Sequence, residues 1–147
     1  MKRRQECLLR DLSTALILCN NVTPVMDEGV RVLQASSPDE IALVKFAENL
    51  GFIMREREKN EIVVLNPYDK EERYEILANF PFSSETKRMG IIVRHIDTNR
   101  IILYLKGADM VMIDRCKPIF RGYIQDECDT LAREGLRTLV ITQKELS

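Results

Sequence analysis

The chain has 147 residues, the size of one ordinary domain with its own hydrophobic core. Its composition, 45% apolar and 31% charged, is typical of soluble globular proteins, and a formal charge of −1 excludes a general attraction to nucleic acid or acidic membranes. The four cysteines form no Cys-x-x-Cys pair and lie far in sequence from His95, the only histidine, so we expect reduced thiols and no structural zinc site. No apolar run reaches the roughly 20 residues of a membrane-spanning helix.

The first helix is predicted over residues 8–19, where apolar side chains recur at the spacing of one helical face. The residues expected on its buried face are Leu8, Leu12, Ala15, Leu16 and Cys19. Two asparagines and then a proline follow, and they end the helix. Residues 26–32 are expected to form a loop that runs into a short strand.

A second helix is predicted over residues 36–51, with Ser37 as its N-cap and Pro38 as its first helical residue. Glu40 stands three residues after the cap, where a glutamate closes a capping box. Gly51 suits the C-terminal end of the helix. The residues expected on its buried stripe are Leu43, Phe46, Ala47 and Leu50.

The middle of the chain changes to the pattern of strands, which are predicted over residues 52–58, 61–66, 73–80, 89–95 and 100–106. Short polar turns separate them, so an antiparallel meander is expected. Two helices, at about 109–116 and 121–133, and a last strand at 136–142 complete the chain. The residues expected on the core side of the last helix are Ile124, Cys128, Leu131 and Ala132. This order predicts an α+β fold, an antiparallel sheet flanked by helices in one domain.

The stretch SSPDE at residues 36–40 offers two carboxylates at the start of the second helix. A capping box for Glu40 and a favourable helix dipole for Asp39 explain both residues without a ligand. The functional alternative is that one carboxylate accepts a hydrogen bond from a ligand amine, such as the amino group of adenine. The two roles are compatible, because a carboxylate has several lone-pair positions.

The stretch FSSETKRM at residues 82–89 places Phe82 at the edge of a polar loop. A partly buried ring beside solvated cations is the ordinary structural interpretation. The functional interpretation is a ring that stacks on a nucleobase, with Lys87 on the far side of the base plane or near the phosphates and Met89 on the apolar floor of the same slot.

The stretch KGAD at residues 106–109 follows a predicted strand. An exposed amine of Lys106 would point into a cleft there, and Gly107 and Ala108 are small enough for a flat ligand to lie against the backbone. Arg137, in EGLRTL, is either a surface residue on an edge strand or a contact for phosphate or ribose. No G-x-x-x-x-G-K-[ST] phosphate-binding loop is present in the sequence.

Four blocks, SSPDEIALV, FPFSSETKRMGIIVR, YLKGAD and AREGLRTLV, together resemble the nucleotide-binding domain of P-type ATPases, in the same order. The resemblance is closest to type IV, the phospholipid flippases. NNVTPV combined with KRMGIIVR resembles the class II group, the phospholipid-transporting ATPases IIA and IIB. The resemblance to the nucleotide-binding domain extends from about residue 8 to residue 145. Residues 25–34 form a short connection at a place where family members often carry a longer insertion.

The resemblance implies how an adenine base is bound. Phe82 corresponds to the phenylalanine that stacks on adenine. Glu40, with Asp39 beside it, corresponds to the acidic residue near the adenine amino group. Gly107 and Ala108 correspond to the small residues that lie against the base.

The resemblance also implies the phosphate contacts and the setting of the domain. Lys87 and Lys106 correspond to two lysines that line the pocket, Arg137 corresponds to an arginine that reaches the phosphates, and Mg²⁺ comes with the nucleotide. No catalytic residue is expected, because the D-K-T-G-T, G-D-G-x-N-D and T-G-E motifs are absent. Residues 1–147 are then one monomeric domain that binds ATP or ADP. Its partners are the phosphorylation, actuator and transmembrane domains of a pump, and it lies on the cytosolic face of Golgi or endosomal membranes.

A function of another class is left open by the residues themselves. The chain is then a non-catalytic α+β protein-interaction module, in which the lysines are solvated and Glu40 only caps its helix. A sheet that binds RNA is disfavoured, because the charge balance is slightly acidic and aromatic pairs on the strands are lacking.

Overall fold

A computed structural model of the protein describes residues 5–146. Its helices are α1 (Gln5–Leu18), α2 (Pro38–Asn49), α3 (Asp109–Met112) and α4 (Pro118–Arg133), with a 3₁₀ turn at Ile113–Arg115. Its strands are β1 (Thr23–Asp27), β2 (Val30–Gln34), β3 (Ile53–Arg57), β4 (Glu61–Leu65), β5 (Glu71–Phe80), β6 (Arg88–His95), β7 (Ile101–Gly107) and β8 (Val140–Leu146).

The last six strands form one antiparallel sheet in the order β3-β4-β5-β6-β7-β8, which is also their order along the chain. Each strand therefore pairs with its neighbours in sequence, as the short polar turns between the predicted strands indicated. Strands β1 and β2 form a separate two-stranded sheet. The predicted α+β class, with an antiparallel sheet flanked by helices, is confirmed.

The main core lies between α1, α2 and one face of the six-stranded sheet. Its fully buried apolar side chains include Ile17, Leu18, Val44, Met54, Ile62, Ile91 and Val93. Full burial of one such side chain contributes about 1.5–3 kcal/mol, so this layer supplies most of the favourable hydrophobic term. A smaller cluster of Met112, Cys116, Cys128 and Val140 packs α3 and α4 against the start of β8.

The predicted buried faces of the helices are wrong at their edges. Six apolar residues that were expected inside are exposed: Leu8, Leu12, Phe46, Leu50, Leu131 and Ala132. A helix buries only the arc that its neighbours cover, and helical spacing alone does not locate that arc. In α2 the arc is centred on Val44 and Ala47, and in α1 every side chain is buried from Ala15 to the end of the helix.

Residues 26–32 were expected to form a loop that runs into a short strand. The short strand is confirmed as β2, but the residues before it belong to β1 and a tight turn, because β1 and β2 form an antiparallel hairpin. Glu28 and Gly29 form its turn, with φ of 49° and 80°. Two positive φ values are typical of a type I′ turn, whose twist matches that of the flanking strands. Arg31 joins the hairpin to α2 through two hydrogen bonds to the Glu48 carboxylate, at 3.2 and 2.9 Å.

The last strand begins later than predicted, because β8 covers Val140–Leu146 and residues 136–139 have no regular structure. Gly135 is in the left-handed region, with φ of 80°, and ends the turn that follows α4. Arg137 therefore lies on a connecting segment, and its predicted place on an edge strand is wrong.

Candidate functional site

A cleft of about 700 Å³ opens where the end of α1, the start of α2, the loop between β5 and β6, and the end of β7 meet. This volume is in the range of small-molecule sites. Eight of the nine predicted site residues line the cleft: Asp39, Glu40, Phe82, Lys87, Met89, Lys106, Gly107 and Ala108. The ninth, Arg137, lies at the rim, where its guanidinium forms an exposed ion pair with Asp39.

The Lys106 ammonium was predicted to be exposed, but it is buried at the floor of the cleft, and the residue is only 3% exposed. Its Nζ lies 2.8 Å from Oε1 of Glu40, whose side chain is also largely buried. The angles of this contact are outside hydrogen-bond geometry, so Nζ has no hydrogen-bond acceptor among the described residues. The ammonium is therefore paired in charge with Glu40, but its N–H donors have no hydrogen bond among the described residues.

Glu40 does not close the predicted capping box. Its second oxygen, Oε2, accepts a hydrogen bond from the backbone N–H of Asn21 at 3.3 Å, and Oε1 faces Lys106. The cap of α2 comes from Ser37 alone, whose hydroxyl accepts the Asp39 N–H at 3.2 Å. Contacts of both carboxylate oxygens therefore fix the Glu40 side chain over the floor of the cleft.

Phe82 stands at the mouth of the cleft and is 60% exposed, so it is not a core residue. The loop that follows is tightly folded. The backbone N–H of Lys87 donates to the carbonyl of Ser83 at 2.8 Å, and the hydroxyls of Ser83 and Thr86 are also 2.8 Å apart. Lys87 adopts a φ of 54°, a conformation that lysine rarely takes, and it brings the chain back to the cleft beside Phe82.

Gly107 lines the cleft, and the structure gives a second reason, not indicated by the sequence, for a glycine at this position. A Cβ at this position would lie 2.7 Å from the carbonyl oxygen of Lys87 and 2.8 Å from Cβ of Arg88. Strands β6 and β7 pair Arg88 with Gly107 at this point, so only glycine permits their close approach. The same carbonyl accepts the N–H of Ala108 at 3.2 Å, which fixes the end of β7 next to the loop.

Several other residues that line the cleft were not predicted as site residues, and Asn20 and Arg57 are the two that form its polar floor with Glu40 and Lys106. Asn20 is 2% exposed, and its amide donates to the carbonyls of Leu16 and Ile17 at the end of α1, at 2.8 and 2.9 Å. Its Oδ1 accepts Nη1 of Arg57 at 2.6 Å. Burial lowers the pKa of the Arg57 guanidinium, while the nearby Cys19 thiol and Glu40 carboxylate oppose that effect.

Cys19 lies just behind this floor, and burial raises the pKa of its thiol to about 11. Its Sγ contacts the carbonyl oxygens of Met89 and Tyr104 at 3.9 and 3.8 Å. The thiol is therefore protonated at neutral pH and has no nucleophilic role in the cleft.

The six-stranded antiparallel sheet and the cleft at the end of β7 agree with the class of protein that the family comparison identifies. The chain belongs to the family described as P-type ATPase, cytoplasmic domain N, which matches residues 8–147, and the predicted family is confirmed. The chain is similar to phospholipid-transporting ATPase neo1 of Schizosaccharomyces pombe, with 50% identity over 141 residues, and to probable phospholipid-transporting ATPase tat-5 of Caenorhabditis elegans, with 42% over 143. It is also similar to human probable phospholipid-transporting ATPase IIB, with 40% identity over 154 residues.

These alignments cover 95%, 95% and 90% of this chain, but only 13% of each relative. The chain thus spans about one eighth of the length of the curated relatives that it matches. Among residues 5–146, no helix is both long and apolar enough to cross a membrane. The same residues contain no group of three or more His, Cys, Asp or Glu side chains arranged to hold a metal ion.

Proposed function

We propose that residues 1–147 form the ATP-binding domain of a pump that transports phospholipids. The observation that carries the proposal is the convergence of eight predicted residues, from three separate parts of the chain, around one cleft. The family match and the names of the relatives support the same function.

The residues of the cleft can bind an adenine base between an aromatic ring and a polar floor. The exposed ring of Phe82 stacks on the base, which adds about 0.5–1.5 kcal/mol to the burial of area. Met89 supplies the apolar side, and Gly107 and Ala108 leave room for the base against the backbone. Glu40 accepts a hydrogen bond from the adenine amino group with a lone pair that Lys106 leaves free.

The phosphates extend toward the mouth of the cleft in this proposal. Lys87 is exposed there, and Arg137 at the rim is 86% exposed at its side chain. The buried ammonium of Lys106 adds positive potential from the floor. Magnesium arrives with the phosphates, which are its usual ligands in nucleotide sites.

This chain's part in the reaction is to hold the nucleotide and to present it. When bound, ATP supplies a γ-phosphoryl group for transfer to an aspartate of a phosphorylation domain outside this chain. The full pump, with actuator and transmembrane domains, then couples ATP hydrolysis to the movement of phospholipid. We propose that the domain itself is monomeric and lies on the cytosolic face of Golgi or endosomal membranes.

The proposal is tested by titrating ATP into the ¹⁵N-labelled chain. We expect a Kd of about 0.1–1 mM, or roughly −4 to −5.5 kcal/mol, because one domain supplies only part of the full site. Amide shifts should be concentrated near Phe82 and Lys106, and the thermal midpoint should rise with ATP more than with an unrelated polyanion. Unchanged spectra at several millimolar ATP would contradict the proposal, and equal stabilisation by the polyanion would favour the interaction-module alternative.

Replacing Phe82 with alanine is expected to weaken ATP binding several-fold, on the order of 1 kcal/mol, because the stacking surface is lost. The thermal midpoint should stay within a few degrees of that of the parent chain, since the ring is 60% exposed. Phe80→Ala is the matched control: this ring is 49% exposed and does not line the cleft. Loss of the folding transition in Phe82→Ala would show a core role instead.

A further inference from the structure

Arg57 reaches the floor of the cleft only because β3 contains a β-bulge. In the antiparallel pair, Met54 lies opposite Val64 and Arg57 lies opposite Ile62, with a shift in register between Met54 and Glu56. Directly opposite residues point to the same face of a sheet, and Ile62 and Val64 both face the core. Met54 and Arg57 are three residues apart and would lie on opposite faces of a regular strand.

The bulge therefore turns a guanidinium toward the buried face. Bulges of this kind commonly change the direction of a side chain next to a functional site. Here the redirected side chain is that of Arg57, which lines the cleft.

Two consecutive residues after α1 hold Arg57 and Glu40 at the same part of the cleft floor. Asn20 accepts Nη1 of Arg57 at 2.6 Å, and the N–H of Asn21 donates to Oε2 of Glu40 at 3.3 Å. Both side chains line the cleft, and the Glu40 carboxylate is near enough to the Arg57 guanidinium to raise its pKa. Asn20 itself is anchored by its bonds to Leu16 and Ile17 and by accepting the N–H of Val22.

The floor of the cleft thus offers both a hydrogen-bond acceptor, Glu40, and a donor, Arg57. A guanidinium has five N–H donors, and Asn20 uses one of them. Lys106 already neutralises the charge of Glu40, so Arg57 is a second cation against one carboxylate. A neutral base with an acceptor atom at this point compensates it better than an apolar ligand does.

We propose that Arg57 is a specificity-determining residue, whose guanidinium donates a hydrogen bond to a purine ring nitrogen while Glu40 accepts the neighbouring amino group. The proposal rests on the ATP-binding function proposed above. Adenine presents its amino donor next to ring-nitrogen acceptors, whereas guanine presents O6 and N7, two acceptors, at the corresponding edge. The pair Glu40 and Arg57 therefore favours adenine over 6-oxopurines.

The experiment compares ATP with 1-deaza-ATP and 7-deaza-ATP, in which one ring nitrogen is replaced by C–H. The variants are Arg57→Met, which keeps the length of the side chain, and Arg55→Met as control. Arg55 is a cation on the same strand that pairs with Glu71 in solvent. Binding is followed by amide shifts, and the thermal midpoint of each variant is recorded.

The parent chain is expected to bind one of the two analogues about tenfold more weakly than ATP, the value of one hydrogen bond from a charged donor. Arg57→Met should bind ATP about tenfold more weakly and lose its discrimination against that analogue, because the donor is gone. Arg55→Met should behave as the parent chain does. A merely structural Arg57 would lower stability and leave the discrimination intact, which would overturn the proposal.

A measurement on the parent chain keeps the test decisive if Arg57→Met does not fold. The side-chain Nε–H resonance of Arg57 should shift on addition of ATP and shift less with the discriminated analogue. No response of that resonance to saturating ATP would overturn the inference, while the shifts near Phe82 would still support ATP binding. Absence of any ATP binding would instead remove the proposed function on which the inference rests.

Discussion

Lys106→Met is expected to lower the free energy of unfolding by about 3–5 kcal/mol, the usual effect of removing one partner from a buried ion pair. The ammonium is almost fully buried, and its partner Glu40 is only 15% exposed at the side chain. Methionine fills the space but removes the ammonium that contacts the largely buried carboxylate. Urea unfolding at pH 7 measures the loss, and Lys45→Met, at an exposed position on α2, is the control.

The double variant Lys106→Met with Glu40→Gln separates the effect of losing the ion pair from the effect of changed side-chain packing. With both charges of the pair removed, the net charge of the floor equals that of the parent chain, where Arg57 is the remaining cation, so we expect most of the lost stability to return. A double variant no more stable than Lys106→Met would show that the ion pair is not the cause of the loss.

Gly107→Ala is expected to destabilise the fold by about 1–3 kcal/mol, because the added methyl group overlaps backbone and not a mobile side chain. The nearest atom, the carbonyl oxygen of Lys87, would be 2.7 Å away. Strands β6 and β7 must then separate at the edge of the cleft, and the loop that carries Phe82 and Lys87 moves with them. Thermal and urea unfolding measure the loss of stability.

Gly122→Ala provides the opposite control within the same chain. Gly122 lies inside α4, and a Cβ there meets no atom within 4 Å. Alanine should therefore raise stability by about 0.5–1 kcal/mol through helix propensity alone. A similar loss in both variants would indicate a general intolerance of glycine replacement and not a clash between β6 and β7.

The sequence was most informative where local rules decide the structure. The strands alternate and are separated by short turns, so pairing between neighbours was predictable, and Ser37 with Pro38 marked the start of α2 correctly. The exposed faces of the helices were missed because coverage by neighbours is a tertiary property. The β1–β2 hairpin was missed because Glu28–Gly29 is not one of the dipeptides that strongly signal a type I′ turn.

The cleft shows the same division between local and tertiary information. Phe82 was recognisable, since an aromatic residue at the edge of a polar loop is unusual, and it does lie exposed at the mouth. Arg57 was not, because simple alternation along β3 places it away from the core and a single bulge reverses that direction. The burial of Lys106 was equally hidden, because it depends on a carboxylate 66 positions earlier in the chain.

In the proposed ATP-binding function, the rim pair between Asp39 and Arg137 is the contact that a phosphate must displace to reach this arginine. Both side chains are more than half exposed, and such a pair is held by at most about 1 kcal/mol in salt solution. With no anion present, the carboxylate restrains the arginine and limits its motion above the entrance. An arriving phosphate competes with one weak partner and not with a buried one. Arg137 can therefore exchange the Asp39 carboxylate for a phosphate at little cost in free energy. Rising ionic strength weakens both of these ion pairs.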